Sequence, residues 1–396
     1  MTTTEQDSVQ DAAEAPEEEP RPRALAYDGP TVRDDVRRWV RCVIPLAVAL
    51  LVSVVARFAP SQVEEIYSRG IYPRVASLVE GPARSWAETR HAAGLSRTAP
   101  SFSEVLLLAV LLLVVLLLGH AAFKGIGTFV RRCFWVVGLA ALSFVGLWGL
   151  NHARAPLAQT LHLDVSPVAV GELDQVADEM AIALTALLEQ SIQPVDRESV
   201  PGRAAEAWAR ALGEVPSLGW QERAIVVGPK LSETIVSAGI SGIFSPFSQE
   251  AHVAAHLPDP DLLFTALHEI AHVQGWARED EANYLAWRVG SRSGDLDFER
   301  AALIISLAHV HRALEQADRE LMAARWHDLD PRIKAQFSAR AAFWGRERSM
   351  IASRAASAVN EVYLRSHGHG GVATYGRMVD LIVAEWRSGD RADVLR

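Results

Sequence analysis

The stretch from Thr265 to Trp287, TALHEIAHVQGWAREDEANYLAW, decides how the chain is read. His268 and His272 stand four residues apart, with Glu269 beside the first. On a helix that spacing puts both imidazoles on one face and the carboxylate next to them. A hydrolytic zinc centre needs neutral imidazoles and carboxylates as ligands, with one position left open for water. Two histidines one turn apart supply two ligands with little strain. Glu269 is then placed to take a proton from water whose pKa the metal lowers to about 7. The bland alternative is the polar face of an ordinary amphipathic helix.

The residues that follow discriminate between zinc sites. Gly275 suits a left-handed cap that ends the first helix. In metalloproteases that place a third histidine six residues on, that position would be His; here it is Arg278. Three acids come next: Glu279, Asp280 and Glu281. With a second helix beginning near Ala277, Glu279 and Asn283 share a face at i and i+4. Glu279 is therefore the expected third ligand, and Asn283 the expected partner of a histidine ring N–H. Glu281 is kept as the alternative ligand. Read blandly, the acidic run is a solvated helix start favoured by the helix dipole.

Upstream, Arg223 to Pro229 (RAIVVGP) has the look of a short buried strand. Glu250 to Leu257 alternates as an edge strand would, after a segment punctuated by glycine and proline. An edge strand beside the site helix could pair with an extended peptide as an added strand. His252 and His256 share one face of that strand, and solvent is the expected surrounding for both. Gly171 to Ser191 repeats its apolar positions with helical period, and the pattern beyond Glu299 is helical almost to the end. Breaks are expected at Asp330-Pro331 and around SHGHGG, where His367 and His369 read as loop residues. Tyr375 or Arg377 could donate a hydrogen bond to a tetrahedral oxyanion, and Tyr375 is the candidate catalytic partner. His309 and His311 read as core or surface residues of an apolar helix.

The rest of the chain sets the context. Its 396 residues carry a formal charge of −9, which gives no support to nucleic-acid binding. Only two cysteines occur, Cys42 and Cys133, so a disulfide framework and a cysteine-based zinc site are both excluded. Residues 1–36 are rich in Glu, Asp, Pro and Ala and read as a disordered acidic tail. Three apolar runs follow: Cys42 to Ala56, Val105 to Phe123, and Cys133 to Leu150 with Trp148 near its end. They predict membrane spans at about 41–58, 105–123 and 133–151. Arg33, Arg37, Arg38 and Arg41 before the first span, and Lys124, Arg131 and Arg132 between the second and third, favour a cytoplasmic N-terminus. Residues 59–104 are then an extracytoplasmic loop, and everything after about residue 152 lies outside the cytoplasm. A motif so far beyond the last span, with charged flanks, argues against a site within the membrane.

At the ExxA(N/D) that follows HExxH, the chain resembles the zinc peptidases whose third ligand is a glutamate, including the CAAX-processing and HtpX-like membrane proteases. More closely, Gly239 to Trp287, with YSRGIYPRVASL at 67–78 and GVATYGRMVDLIV at 371–383, resembles the DUF3810 family of bacterial membrane proteins. The resemblance implies a mainly α fold: three transmembrane helices plus an α+β, glutamate-zincin-like extracytoplasmic domain over 156–396 with a small sheet. It implies a multi-pass protein of the bacterial inner membrane and a zinc metallopeptidase acting on peptide or protein. The competing expectation is a membrane-anchored binding or sensor module whose zinc site is structural or inactive.

Overall fold

The computed structural model describes residues 32–95, 99–191, 193–220, 224–350, 352–354, 358 and 377–389. The first 31 residues of the expected tail, His367, His369 and Tyr375 lie outside the described residues. Two units are distinguished, Met1–Arg41 and Cys42–Arg396. In the first, the chain is already helical at Val32, inside the expected tail. The helix bounded by Val32 and Ala56 has the composition for it, since only Pro45 interrupts a run of good helix formers.

The apolar runs give three helices of 22 residues that are long and apolar enough to cross a membrane: Asp35–Ala56, Phe102–Phe123 and Ile126–Leu147. At 1.5 Å per residue each is about 33 Å long, close to the ~30 Å hydrocarbon thickness. Only 6% of the most apolar window of the second helix and 11% of the third is buried within the protein. Leu108, Leu112, Val115 and Leu116 are largely exposed. Such surfaces are compatible with a membrane protein, in which lipid covers them.

Residues 59–104, the segment between the first two apolar helices, are largely helical. Pro60–Gln62 runs into a π-helical stretch, Val63–Ile71, and then an α-helix, Tyr72–Ala92. The mixture of arginines and glutamates reads as polar surface. Tyr67, Tyr72, Ala76 and Ala83 nevertheless bury one side of it.

The remainder is mainly helical around a three-stranded sheet of order β1-β3-β2. β1 (Ile225–Val227) pairs parallel with β3 (Glu250–Val253), and β2 (Gly242–Ser245) pairs antiparallel with it. β3 is thus the central strand, not an edge, and all four of its residues are buried. His252 is buried with it, which overturns the solvent-facing expectation. His256 is half-buried with its ring near Phe343. Behind the sheet, helices Val170–Glu189, Val200–Glu214, Asp259–Val273, Glu279–Ser291 and Leu296–Ala317 enclose one apolar core. Trp208 fixes one contact within it by donating to the Leu267 carbonyl at 3.0 Å. The expected break at 330–331 is present: Asp330 caps the Pro331–Glu347 helix through the Arg332 N–H.

Candidate metal centre

The His-Glu-x-x-His segment lies in the last turns of the Asp259–Val273 helix. Gly275, at φ +88°, ends that helix. Its N–H bonds to the His272 carbonyl at 2.9 Å, and the Trp276 N–H bonds to Ala271 at 3.1 Å. These two bonds are a Schellman cap, which needs a residue without Cβ at the left-handed position. The cap also turns the Trp276 carbonyl back onto the helix, where it meets His272 Nδ1 at 2.7 Å. With Nδ1 donating to that carbonyl, Nε2 of His272 is left as a ligand atom. The orienting group is therefore a backbone carbonyl one turn on, and not Asn283 as the sequence suggested.

Arg278 lies at the N-cap of the second helix and Glu279 is its first residue. This sets the Glu279 carboxylate against both imidazoles: Oε2 is 3.3 Å from His268 Nε2, and Oε1 is 3.6 Å from His272 Nε2. One ligand atom from each of the three side chains falls within 4.8 Å of the others. Bonds of 2.0–2.1 Å to a tetrahedral ion separate neighbouring ligand atoms by about 3.3–3.4 Å. The Oε2–His268 distance equals that edge and the Oε1–His272 distance is slightly longer, so the three side chains converge closely enough to hold one cation between them. Among the described residues no fourth His, Cys, Asp or Glu joins the cluster.

The neighbouring acids are used otherwise. Glu281 accepts from the Leu157 N–H at 2.7 Å and from Arg278 at 3.0 Å, so it ties the start of the helix to the chain before it. Asp280 is buried with Oδ1 unpartnered among the described residues. Burial, and then the charge of Glu281, raises its carboxyl to about 7.

Glu279, His272 and Glu269 influence one another's protonation. Burial opposes charge on Glu279, but the two histidines hold its carboxyl well below the usual range. Burial likewise favours a neutral His272, yet the hydrogen bond and charge of Glu279 outweigh it and lift the ring to about 9. Glu269 is buried with Oε2 unpartnered, and that burial raises its carboxyl to about 6 against the pull of His268 and His272. Gly242 on β2 leaves room for it. A Cβ there would stand 2.5 Å from Glu269 Oε1, 2.8 Å from its Cγ and 2.6 Å from Thr265 Cγ2. Sequence reasoning took that glycine only as punctuation.

The end of the site helix is held by residues far away in the sequence. Tyr72 Oη donates to the Val273 carbonyl at 2.8 Å and Trp220 Nε1 at 2.9 Å, while Trp148 Nε1 donates to the His272 carbonyl at 3.2 Å. Arg154 forms a bidentate pair with Glu64, donates to the Gly275 carbonyl at 2.9 Å, and lies 3.6 Å over the Trp276 ring. A motif more than a hundred residues beyond the last apolar helix thus lies in space against that helix's end.

What these features define is a largely helical chain with three helices fit to cross a membrane and a His-His-Glu cluster shaped for one cation. Its relationship follows from sequence. The chain belongs to the DUF3810 family (Protein of unknown function), whose profile matches residues 86–383. The 371–383 resemblance falls within that range and the one at 67–78 outside it. No curated protein and no solved structure matches the chain.

Proposed function

We propose that the protein is a membrane-anchored zinc metallopeptidase with a glutamate-zincin-like site, its C-terminal domain lying outside the cytoplasm. The observation that carries this reading is the His268–His272–Glu279 convergence with Glu269 buried beside it and no fourth His, Cys, Asp or Glu among the described residues closing the cluster. A bound zinc ion would supply Lewis acidity, polarising a carbonyl and lowering the pKa of water. His268 Nε2, His272 Nε2 and Glu279 would hold it. Glu269 accepts a proton at its unpartnered Oε2 and passes it to the leaving amine. A carboxyl raised toward neutrality is suited to both steps.

With β3 central, the edge strand beside the site that could receive a peptide is β2. Among the described strands it is an edge, and it runs beside Glu269 at Gly242. An extended substrate adding to Gly242–Ser245 would bring a peptide bond to the site helix. Tyr375 keeps its proposed role as oxyanion donor; Tyr375→Phe tests it through a fall in kcat with KM unchanged.

The test is Glu269→Gln in the full chain. The variant is expected to keep zinc and lose hydrolysis of a peptide library; proteolysis retained in it would refute the assignment. The second reading, a sensor with a structural zinc, requires a fourth protein ligand. It would gain support if zinc bound stoichiometrically to a chain inactive on every peptide.

A further inference from the structure

Each of the three apolar helices ends on an element of the candidate site or of the sheet packed against it. Ala56, the last residue of the first, shares a cluster with Tyr67, Tyr72, Trp148 and Ala277, and Phe144 and Phe244 pack on it. At the start of the second, the Phe102 and Ser103 N–H groups donate to the buried Glu250 carboxylate of β3 at 3.1 and 2.6 Å. Trp148 directly follows the third. Besides bonding the His272 carbonyl, its ring meets the His272 ring edge-on with centroids 5.9 Å apart. Tyr67 Oη donates at 3.0 Å to Gly146, in that helix's last turn.

These contacts fix a depth. A helix of 22 residues about 33 Å long fills the hydrocarbon layer and ends at its boundary. A metal ligand one aromatic contact from that end lies at the level of the lipid headgroups. Exposed apolar side chains gather on the same elements: Phe58 just after the first span, Ile66 and Ile71 on the π-helical stretch, and Ile243 and Phe247 on β2 and its turn. Exposed large apolar groups on these elements are costly in water and favourable at an interface.

We infer that the centre acts on polypeptide held at the bilayer surface, within a few residues of a membrane anchor, and not on peptides free in solution. This rests on the peptidase reading and adds the substrate class. A segment leaving the bilayer in extended form reaches β2 without leaving the interface. A free peptide must first adsorb there.

The full chain, zinc-loaded in lipid vesicles, is given a random-sequence decapeptide mixture between a fluorophore and a quencher. The mixture is offered free, or attached through 2, 8 or 25 flexible residues to a palmitoyl group or to a single transmembrane helix. Cleavage at least tenfold faster at 2 or 8 residues than at 25 or free is expected. The palmitoyl and helical arms tell which kind of anchor is accepted. A free or 25-residue cassette cleaved as fast as the short ones overturns the inference and leaves the peptidase reading standing. Cleavage of none overturns the peptidase reading, and this inference with it. Depth is read separately from hydrolysis by a spin label at Phe247→Cys in a Cys42→Ala, Cys133→Ala background, calibrated with spin-labelled lipids. Headgroup-level collision with oxygen over a soluble nickel chelate is expected, and a bulk-water value would overturn the placement whatever is cleaved.

Discussion

Glu269 owes its chemistry to where it is kept. Enclosed by β2 and the two histidines, its carboxyl is raised to about 6 in the metal-free chain, mainly by burial. A bound cation would draw that value lower, so the acid limb of kcat/KM should fall at or below about pH 6. Gly242→Ala should push the carboxylate aside, lowering kcat at least tenfold at unchanged zinc content; full activity in that variant would remove Gly242 from the account. His272 gives a prediction with a defined sign. Its metal-free ring, lifted to about 9, is protonated at pH 7, so a cation must expel a proton to bind. Apparent zinc affinity should therefore rise with pH up to about 9, roughly tenfold per unit while one proton is displaced. Calorimetric titration in two buffers of different ionisation enthalpy measures the release, and none at pH 7.5 would contradict it. The convergence of His268, His272 and Glu279 was legible because their spacing is local: two lie one turn apart, and the third follows a capped turn signalled by Gly275. The orienting carbonyl of Trp276 was not, since backbone direction after a cap leaves no side-chain signature.

At the scale of elements, what the sequence hid is what it places far apart. β3 alternates as an edge strand would, but it is clasped on both sides because β1 arrives from 25 residues earlier. His252 was expected in solvent, yet Ser103, some 149 residues upstream, meets its Nε2 at 3.0 Å. The turn before β3 carries another such link. Gln249 adopts a left-handed φ of 58°, costly for a residue with a side chain, and its side-chain oxygen accepts from Tyr72 at 3.1 Å. Glu250 is the element-scale test. Glu250→Ala leaves the Phe102 and Ser103 N–H groups without their charged acceptor at the start of a helix, which should cost about 2–3 kcal/mol. Thermal unfolding of the full chain in lipid nanodiscs measures it, and an unchanged midpoint would mean the sheet does not rest on that helix.

The molecule as a whole joins a membrane-type region to a helical domain through the residues that fasten the site helix. Tyr72, Trp148 and Arg154 all bond carbonyls between His272 and Gly275, so a fragment beginning at 156 would lose each of these fixings. The three apolar helices were visible from composition, their boundaries falling within about seven residues of those expected. The helical packing of 59–104 was not, because its buried side is assembled from contacts outside the segment. The most direct test of the account is therefore the metal content of the intact chain, purified in nanodiscs, for wild type, His272→Ala, Glu279→Ala and Glu281→Ala. One zinc per chain in wild type and in Glu281→Ala, lost in His272→Ala and Glu279→Ala, is the predicted result. A wild type that binds no zinc when supplied with it, or a Glu279→Ala variant that holds zinc as tightly as wild type, would contradict it.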